Sequence, residues 1–440
     1  MKRSLIKVML FILPVLLGGL QSCTTEKTSK EADMPVSISD STNKASCVFL
    51  TDDENNHPVI SWIELDSAGN KSFYLSYWDE AAQAFSPSTL IPIESHASLH
   101  EEGMPKIAVK ANGTVIATYE TSVPSKTSKY GLSDIRYVMS VDRGKTWSKP
   151  QSVQPDYPNR GSRSFSNTIR LDNGEVGIVW LDTDTISPGN GRPVRFAKTA
   201  GTSFGASVLI DSAACECCRT ALSSDRKGRV QIVFRDLLAG SVRDIAISQS
   251  QDNGQTFGPA VAFSGDHWAI AGCPHNGPSI VGKNGRTYVT WFTGAEQQGV
   301  FYGEIDSDAT LLQKHRLDAN ARFAQLCLTP DGAPVMAYNV NYTTNGQTRS
   351  KIKVARMQDK QFVEKEINSP HAKASYPVLR ALGKSHVLIA WTDSGQVYYV
   401  RQAIAAIDTP AGHTYTAHRQ HQDAAKGMSE QDTSCPMHPH

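Results

Sequence analysis

Short apolar runs separated by polar turns recur roughly every fifty residues between Cys47 and Ala405. Seven runs share one layout, with an aromatic residue at the fifth or sixth position. They are residues 58–65 with Trp62, 114–121 with Tyr119, 175–182 with Trp180, 229–236 with Phe234, 286–293 with Trp291, 333–340 with Tyr338 and 386–393 with Trp391. Asn112-Gly113, Asn173-Gly174, Asn284-Gly285 and Asp331-Gly332 precede four of them. Such pairs adopt positive φ at little cost and close tight hairpins. Each marked run has strand-like neighbours, as in 279–281 before Trp291 and 300–302 after it. β-Branched and aromatic residues dominate, and no long stretch has helical periodicity.

Short strands at regular spacing predict a sandwich, a barrel or a propeller. Four strands per repeat, with one aromatic-bearing strand in each, favour an all-β propeller. Seven four-stranded blades are expected, or six if the first repeat is partly a lead-in. The last repeat, 374–405, lacks a fourth strand, and Met34-Pro35-Val36-Ser37-Ile38 can supply it and close the ring. The division expected is a signal peptide at 1–22, a tether at 23–46, the propeller at 47–408 and a disordered tail at 409–440.

A second repeat lies inside the first. Ser140-Val141-Asp142-Arg143-Gly144-Lys145-Thr146-Trp147 and Ser250-Gln251-Asp252-Asn253-Gly254-Gln255-Thr256-Phe257 share the pattern Ser-x-Asp-x-Gly-x-Thr-aromatic. Its physics is a self-contained turn. The carboxylate accepts backbone N–H groups, glycine takes positive φ, and the aromatic folds back over the hairpin. These are structural tasks, so neither the Asp nor the Ser is a catalytic candidate. The two motifs resemble the Asp-box, or BNR, repeats of sialidases and their relatives. That resemblance implies the propeller and does not choose an activity.

Composition narrows the partners. A formal net charge of +1 over 440 residues carries no nucleic-acid footprint. The N-terminus has a basic start, Lys2-Arg3, and an apolar run from Val8 to Leu20 broken by Pro14. That run is too short to span a bilayer and reads as a targeting segment. Its end, Leu20-Gln21-Ser22-Cys23, resembles the lipobox of bacterial lipoproteins, which implies cleavage before Cys23 and its acylation. An ordinary secretory signal is the alternative. Either places the mature chain outside the cytosol; the lipobox reading puts it on the inner or outer membrane of a bacterial envelope, facing the periplasm or the surface. Disulfides are permitted there. Apart from Cys23, seven cysteines remain, an odd number, so at least one is free, metal-bound or paired between chains.

The sialidase resemblance implies three arginines on a substrate carboxylate, a tyrosine nucleophile activated by a glutamate, and an aspartate acid/base; such enzymes depart from the usual carboxylate pair. Tyr376, in Ser375-Tyr376-Pro377, resembles the nucleophile position. Arg219 and Arg235 are arginine candidates, along with Arg160, Arg163 and Arg322. Asp236 and Asp393 end their strands and either face the channel or cap turns. The chain departs from the family at Glu102-Gly103-Met104-Pro105, where glycine stands in place of the first arginine.

The densest reactive chemistry is sulfur. Cys215-Glu216-Cys217-Cys218-Arg219-Thr220 precedes the innermost strand of the fourth repeat, and Gly272-Cys273-Pro274-His275-Asn276-Gly277-Pro278 precedes that of the fifth. Equivalent positions on adjacent blades are neighbours at one channel mouth, and His267 is close enough in sequence to join them. One explanation is a disulfide from Cys217 or Cys218 to Cys273. The other is a soft-metal site on Cys215, Cys217, Cys218, Cys273 and His275, since thiolate and imidazole suit copper or zinc. The stretch resembles a subgroup of sialidase-like bacterial lipoproteins. The tail holds five histidines and ends Cys435-Pro436-Met437-His438-Pro439-His440. This resembles the Cys-Pro-Met-His-Pro motif of heavy-metal-binding segments in bacterial metal-efflux proteins, which implies Cys435, Met437 and His438 as soft ligands.

Three readings follow. The first is an envelope-anchored propeller that binds a small-molecule, glycan or soft-metal ligand, with copper or zinc as the cofactor. The second is an exo-α-sialidase or related glycoside hydrolase with Tyr376 as nucleophile. The third is a disulfide-tied scaffold without catalysis.

Overall fold

Each aromatic-bearing run is the second strand of an antiparallel sheet, and seven such sheets make the fold, a seven-bladed β-propeller. The computed structural model describes residues 34–124, 132–154, 161–183, 191–272, 274–358 and 361–407, without the side chain of Arg226. The innermost strands, in order, are Lys44–Asp52, Lys106–Val109, Arg163–Arg170, Ala221–Ser224, Ser279–Lys283, Ala321–Leu328 and Ala374–Leu382. We number the blades 1 to 7 after them. Each innermost strand touches those of the two flanking blades, so the seven ring a central channel.

The last blade is built from both ends of the propeller. Val36–Ser37 pairs antiparallel with Gln396–Ala403, placing Val36 opposite Tyr399. The blades therefore begin upstream of Cys47, within the stretch expected as tether. A ring closed this way loses an exposed edge and joins distant parts of the chain.

The period-two pattern forms the strands, and the aromatic residues set the blades against one another. Seven hydrophobic clusters occupy the seven blade interfaces. Trp62, Trp180, Phe234, Trp291, Tyr338 and Trp391 each lie in the interface with the preceding blade, at 1% exposure or less. A large flat side chain fills the widening gap between two twisted sheets, and its polar edge needs a partner when buried. The indole N–H of Trp62 donates to Glu64 at 2.8 Å, that of Trp180 to Asp182 at 3.0 Å and that of Trp291 to Asp266 at 2.7 Å.

The two Asp-box turns lie on the outer side of blades 2 and 4, between the third and fourth strands. Asp142 accepts from the Thr146 N–H at 2.9 Å and its hydroxyl at 2.6 Å, and the Ser140 hydroxyl accepts from Gly144 N–H at 2.8 Å. Asp252, Thr256, Ser250 and Gly254 repeat this geometry. Gly144 and Gly254 have φ of +89° and +74°, where a side chain strains the backbone. The hydrogen bonds from Thr146 hold Asp142 down at about 2.

A β-bulge recurs where innermost strands start. The register slips between Ser46 and Phe49, Ser164 and Asn167, Arg322 and Gln325, and Ser375 and Val378. Cys47, Phe165, Phe323 and Tyr376 inside these slips have φ of +57°, +56°, +55° and +50°. Bulges re-aim side chains, and these stand at one mouth of the channel.

Trp180→Ala is expected to cost about 3–5 kcal/mol by opening a cavity at the blade 2–3 interface, read as a large fall in the denaturation midpoint. Asp252→Asn on the exposed turn is expected to lower the midpoint far less.

Candidate functional site

The mouth is assembled from segments that run into the innermost strands. Blade 2 sends in His100 and the short 3-10 helix Glu101–Gly103, blade 3 Phe165, blade 4 residues 215–219, blade 5 His275, blade 6 Phe323 and blade 7 Tyr376. Beneath them lies a buried ion pair that no repeat foreshadows. Arg219 Nη1 meets Glu102 Oε1 at 2.6 Å, and both side chains are at most 4% exposed. The same carboxylate accepts from the backbone N–H of Arg219 at 3.3 Å and of Gly277 at 2.9 Å. Arg219 Nη2 donates to the carbonyl of Ala324 at 3.3 Å. Glu102 thus ties blade 2 to blades 4 and 5, and Arg219 extends the tie to blade 6. On the far side of this pair a cavity of about 690 Å³, reaching from Met104, Lys106 and Arg219 to Asp52, Arg170 and Arg380, opens toward the other end of the propeller.

The arginine candidates are committed elsewhere. Arg219 belongs to that ion pair. Arg235 is 1% exposed and donates to the carbonyls of Phe292 at 2.6 Å, Asn276 at 3.1 Å and Arg243 at 3.3 Å, with Trp268 at 5.1 Å beneath it. Arg163 pairs with Asp134 at 3.0 Å, and Arg322 lies over Phe292 at 4.1 Å; Arg160 is outside the described residues. The missing first arginine has a steric reason. A Cβ on Gly103 would sit 2.7 Å from Glu120 Oε1, and Glu120 in turn accepts from the Phe165 N–H. The space an arginine needs is filled by a carboxyl group.

Tyr376 is half-buried and stacks on Phe323, ring centroids 3.9 Å apart. Asp236 lies beside the cysteine segment, bridged to Ala214, and burial with the nearby Asp211 and Asp244 pushes it up to about 6. Asp393 caps a turn, accepting from the Ser369 hydroxyl and from the N–H groups of His371 and Lys373.

Cys215, Cys217 and Cys218 come together. All three are buried, and their sulfurs lie within 4.8 Å of one another. Cys215 and Cys218 are 3.7 Å apart and both are free thiols, as are Cys47 and Cys327. Hydrogen bonds from Cys217 and Cys218, helped by Arg243 and Arg235, hold Cys215 well below the usual thiol range. Burial pushes Cys218 the other way. Arg192 fastens the segment, donating to the Glu216 carbonyl at 3.3 Å and to Ser164 Oγ at 2.6 Å. Nε and Nη1 of Arg243 are buried with no hydrogen-bond partner among the described residues. His275 is not in the thiol group: its ring lies 5.4 Å from that of His100, which in turn meets the edge of Phe165 at 5.7 Å. Phe165 packs on the three cysteines. His267 is 81% exposed beside Asp244. Cys23, Cys273, Cys435, Met437 and His438 lie outside the described residues.

Sequence reasoning missed Glu102, Glu120, His100 and Phe165. The one available signal was the departure at Glu102-Gly103, which marked the segment without naming its partners.

Asp-box turns on a seven-bladed ring define a sialidase-like propeller. The profile of the BNR repeat-like domain family matches residues 46–389, and the chain belongs to that family. Among solved structures, a protein of unknown function from Dyadobacter fermentans aligns with TM-score 0.50 and 13% identity, over 74% of this chain and 98% of its own. A polysaccharide lyase, the PL25 ulvan lyase, aligns with TM-score 0.51 and 11% identity, over 83% and 97%. The NanB sialidase of Streptococcus pneumoniae aligns with TM-score 0.44 and 11% identity, over 81% and 85%. No curated protein matches the chain. Identities this low speak to fold alone.

Two outcomes are expected from this geometry. Arg219→Met leaves Glu102 charged, buried and short of its partner, and is expected to cost about 3–5 kcal/mol of stability, measured by denaturant unfolding. Burial pushes the Glu101 carboxyl up from its usual 4.5 to about 7. The folded chain then holds a proton the unfolded chain releases. The stability this contributes is full below about 4.5 and is lost as pH rises through about 7. Glu101→Gln keeps an acceptor for the Cys47 N–H, bound at 3.1 Å, and is expected to flatten the fall in unfolding midpoint between pH 5 and 8.

Proposed function

We propose that this protein is a soft-metal-binding propeller in which Cys215, Cys217 and Cys218 hold Cu(I) or Zn(II). The observation that supports the reading most is the set of three buried sulfurs within 4.8 Å of one another. Thiolates are soft donors that select Cu(I) and Zn over hard cations. Cys215 is poised as the thiolate, and the guanidinium groups of Arg243 and Arg235 offset the negative charge that further deprotonation adds. Cys273 is a further donor in sequence reach, and Cys435, Met437 and His438 form a capture segment in the tail. Acylated Cys23 anchors the chain to the bacterial envelope, outside the cytosol.

The glycoside hydrolase reading is weaker. It needs guanidinium groups free to take a substrate carboxylate, whereas Arg219 and Arg235 are bound to the protein itself and position 103 has no room. A fluorogenic sialoside is therefore expected to go unhydrolysed, and Tyr376→Phe to change nothing. Turnover abolished by that substitution would restore the enzyme.

The main test is metal content. Full-length protein prepared anaerobically with a reductant is expected to bind one equivalent of Cu(I) that the triple variant C215S/C217S/C218S lacks while its circular dichroism is unchanged. Equal Cu(I) and Zn(II) binding by the two proteins overturns the proposal. Cys23→Ser is expected to move the protein from the membrane to the soluble fraction.

A further inference from the structure

His100 and His275 stand apart from the thiols and meet each other across the mouth. One comes from the segment before blade 2, the other from the segment before blade 5. The two segments are tied from below, because Glu102 accepts from Gly277 N–H at 2.9 Å. Their separation is thus fixed by a buried contact two residues from each histidine. The ring centroids are 5.4 Å apart with planes at 52°, a tilted pair and not a stack. Neither ring has a hydrogen bond to another described residue, though other histidines of the chain do, as His386 with Ser385. His100 is exposed and His275 half-buried, so solvent reaches the space between them. His275 holds φ of +44°, a conformation that L residues adopt at a cost, and the fold keeps it there.

Imidazole nitrogens bind zinc at about 2.0–2.1 Å, and imidazole suits Cu and Zn generally. Two rings that share one ion through one nitrogen each have centroids several ångströms apart and planes free to tilt, which is the arrangement seen. Two protein ligands leave positions open for water or an exogenous donor. We propose that His100 and His275 form a second, open metal site at the channel mouth for a borderline divalent ion, Cu(II) or Zn(II). It is separated from the three thiols by the Phe165 ring, which touches His100 on one side and the cysteines on the other. The sites differ in kind. The thiol set is buried and soft, and the imidazole pair is open and takes the harder oxidation state. His275, expected from the sequence to ligate with the cysteines, is thereby reassigned to a partner, His100, that carried no motif.

Imidazole in general suits copper, and the chain has other histidines, so the test counts and locates the ion. Titration of Cu(II) into the full chain is expected to show one equivalent fewer in His100→Ala and in His275→Ala, and no further loss in the double variant. Crystals of the unsubstituted chain soaked in Zn(II) are expected to show an anomalous peak between the two rings, which does not depend on any variant folding. The same titration in C215S/C217S/C218S is expected to keep this equivalent. Unchanged stoichiometry in the histidine variants, or a zinc peak on the cysteines with none between the rings, overturns the inference and leaves the thiol site standing. Equal Cu(I) binding by C215S/C217S/C218S and the unsubstituted chain, with the imidazole equivalent intact, overturns the thiol reading and leaves this one standing.

Discussion

The contact on which the centre of this propeller depends is the ion pair between Glu102 and Arg219. A ring of blades packs well between neighbours, through apolar clusters at each interface, but leaves its axis to be filled. Here the filling is charged, and burying two charges is costly unless every remaining lone pair and proton is matched. The match is nearly complete: one carboxylate takes a guanidinium N–H and two backbone N–H groups, and the guanidinium reaches a carbonyl on blade 6. Two glycines border it. Gly277 must lack a side chain because its Cβ would sit 2.2 Å from Arg219 Cγ. Gly103 lacks one because Glu120 occupies the adjoining space. The apolar interfaces form the ring, and this polar knot sets how its inner edges face one another.

That knot also decides what the mouth can do. Guanidinium groups that could meet an anionic ligand are turned onto the protein's own carboxylates and carbonyls, as Arg163, Arg192, Arg219 and Arg235 each show. Arg243 is turned toward sulfur instead, standing beside the cluster with a hydrogen bond to Cys215. A positive group next to a buried thiol favours its thiolate. The electrostatic resource of the channel is therefore directed at sulfur.

The propeller was legible because its determinants are local and repeated. Alternation, Asn-Gly turns and one aromatic per repeat each report burial within a blade or against its neighbour, and closure by residues 34–38 followed from a missing fourth strand. The approach of Arg219 to Gly277 was legible one step further, from equivalence between adjacent blades, whereas His275 stands apart from the thiols and Cys273 lies outside the described residues. The knot itself was not legible. Glu102 and Arg219 are 117 positions apart, and a contact across the axis has no period. The same holds for His100 against His275. For the arginines, sequence could say that guanidinium groups stood near strand starts, but whether a guanidinium faces a ligand or a carbonyl is set by side-chain packing from other blades.

The recurrent bulge explains how one scaffold can change its chemistry. Cys47, Phe165, Phe323 and Tyr376 occupy equivalent slips of the innermost strands, and His275 shares their left-handed backbone just ahead of its own strand. The backbone device is constant, so the residue placed on it is the variable. Thiol, phenyl, imidazole and phenol are thereby delivered to one ring of positions without altering any blade. Substitution at such a position changes what the mouth presents, whereas substitution at the aromatic wedges or the Asp-box turns changes whether the ring holds. Fold and chemistry are thus carried by different residues of the same repeat, and family membership fixes the first while leaving the second to the identity of a few side chains at the mouth.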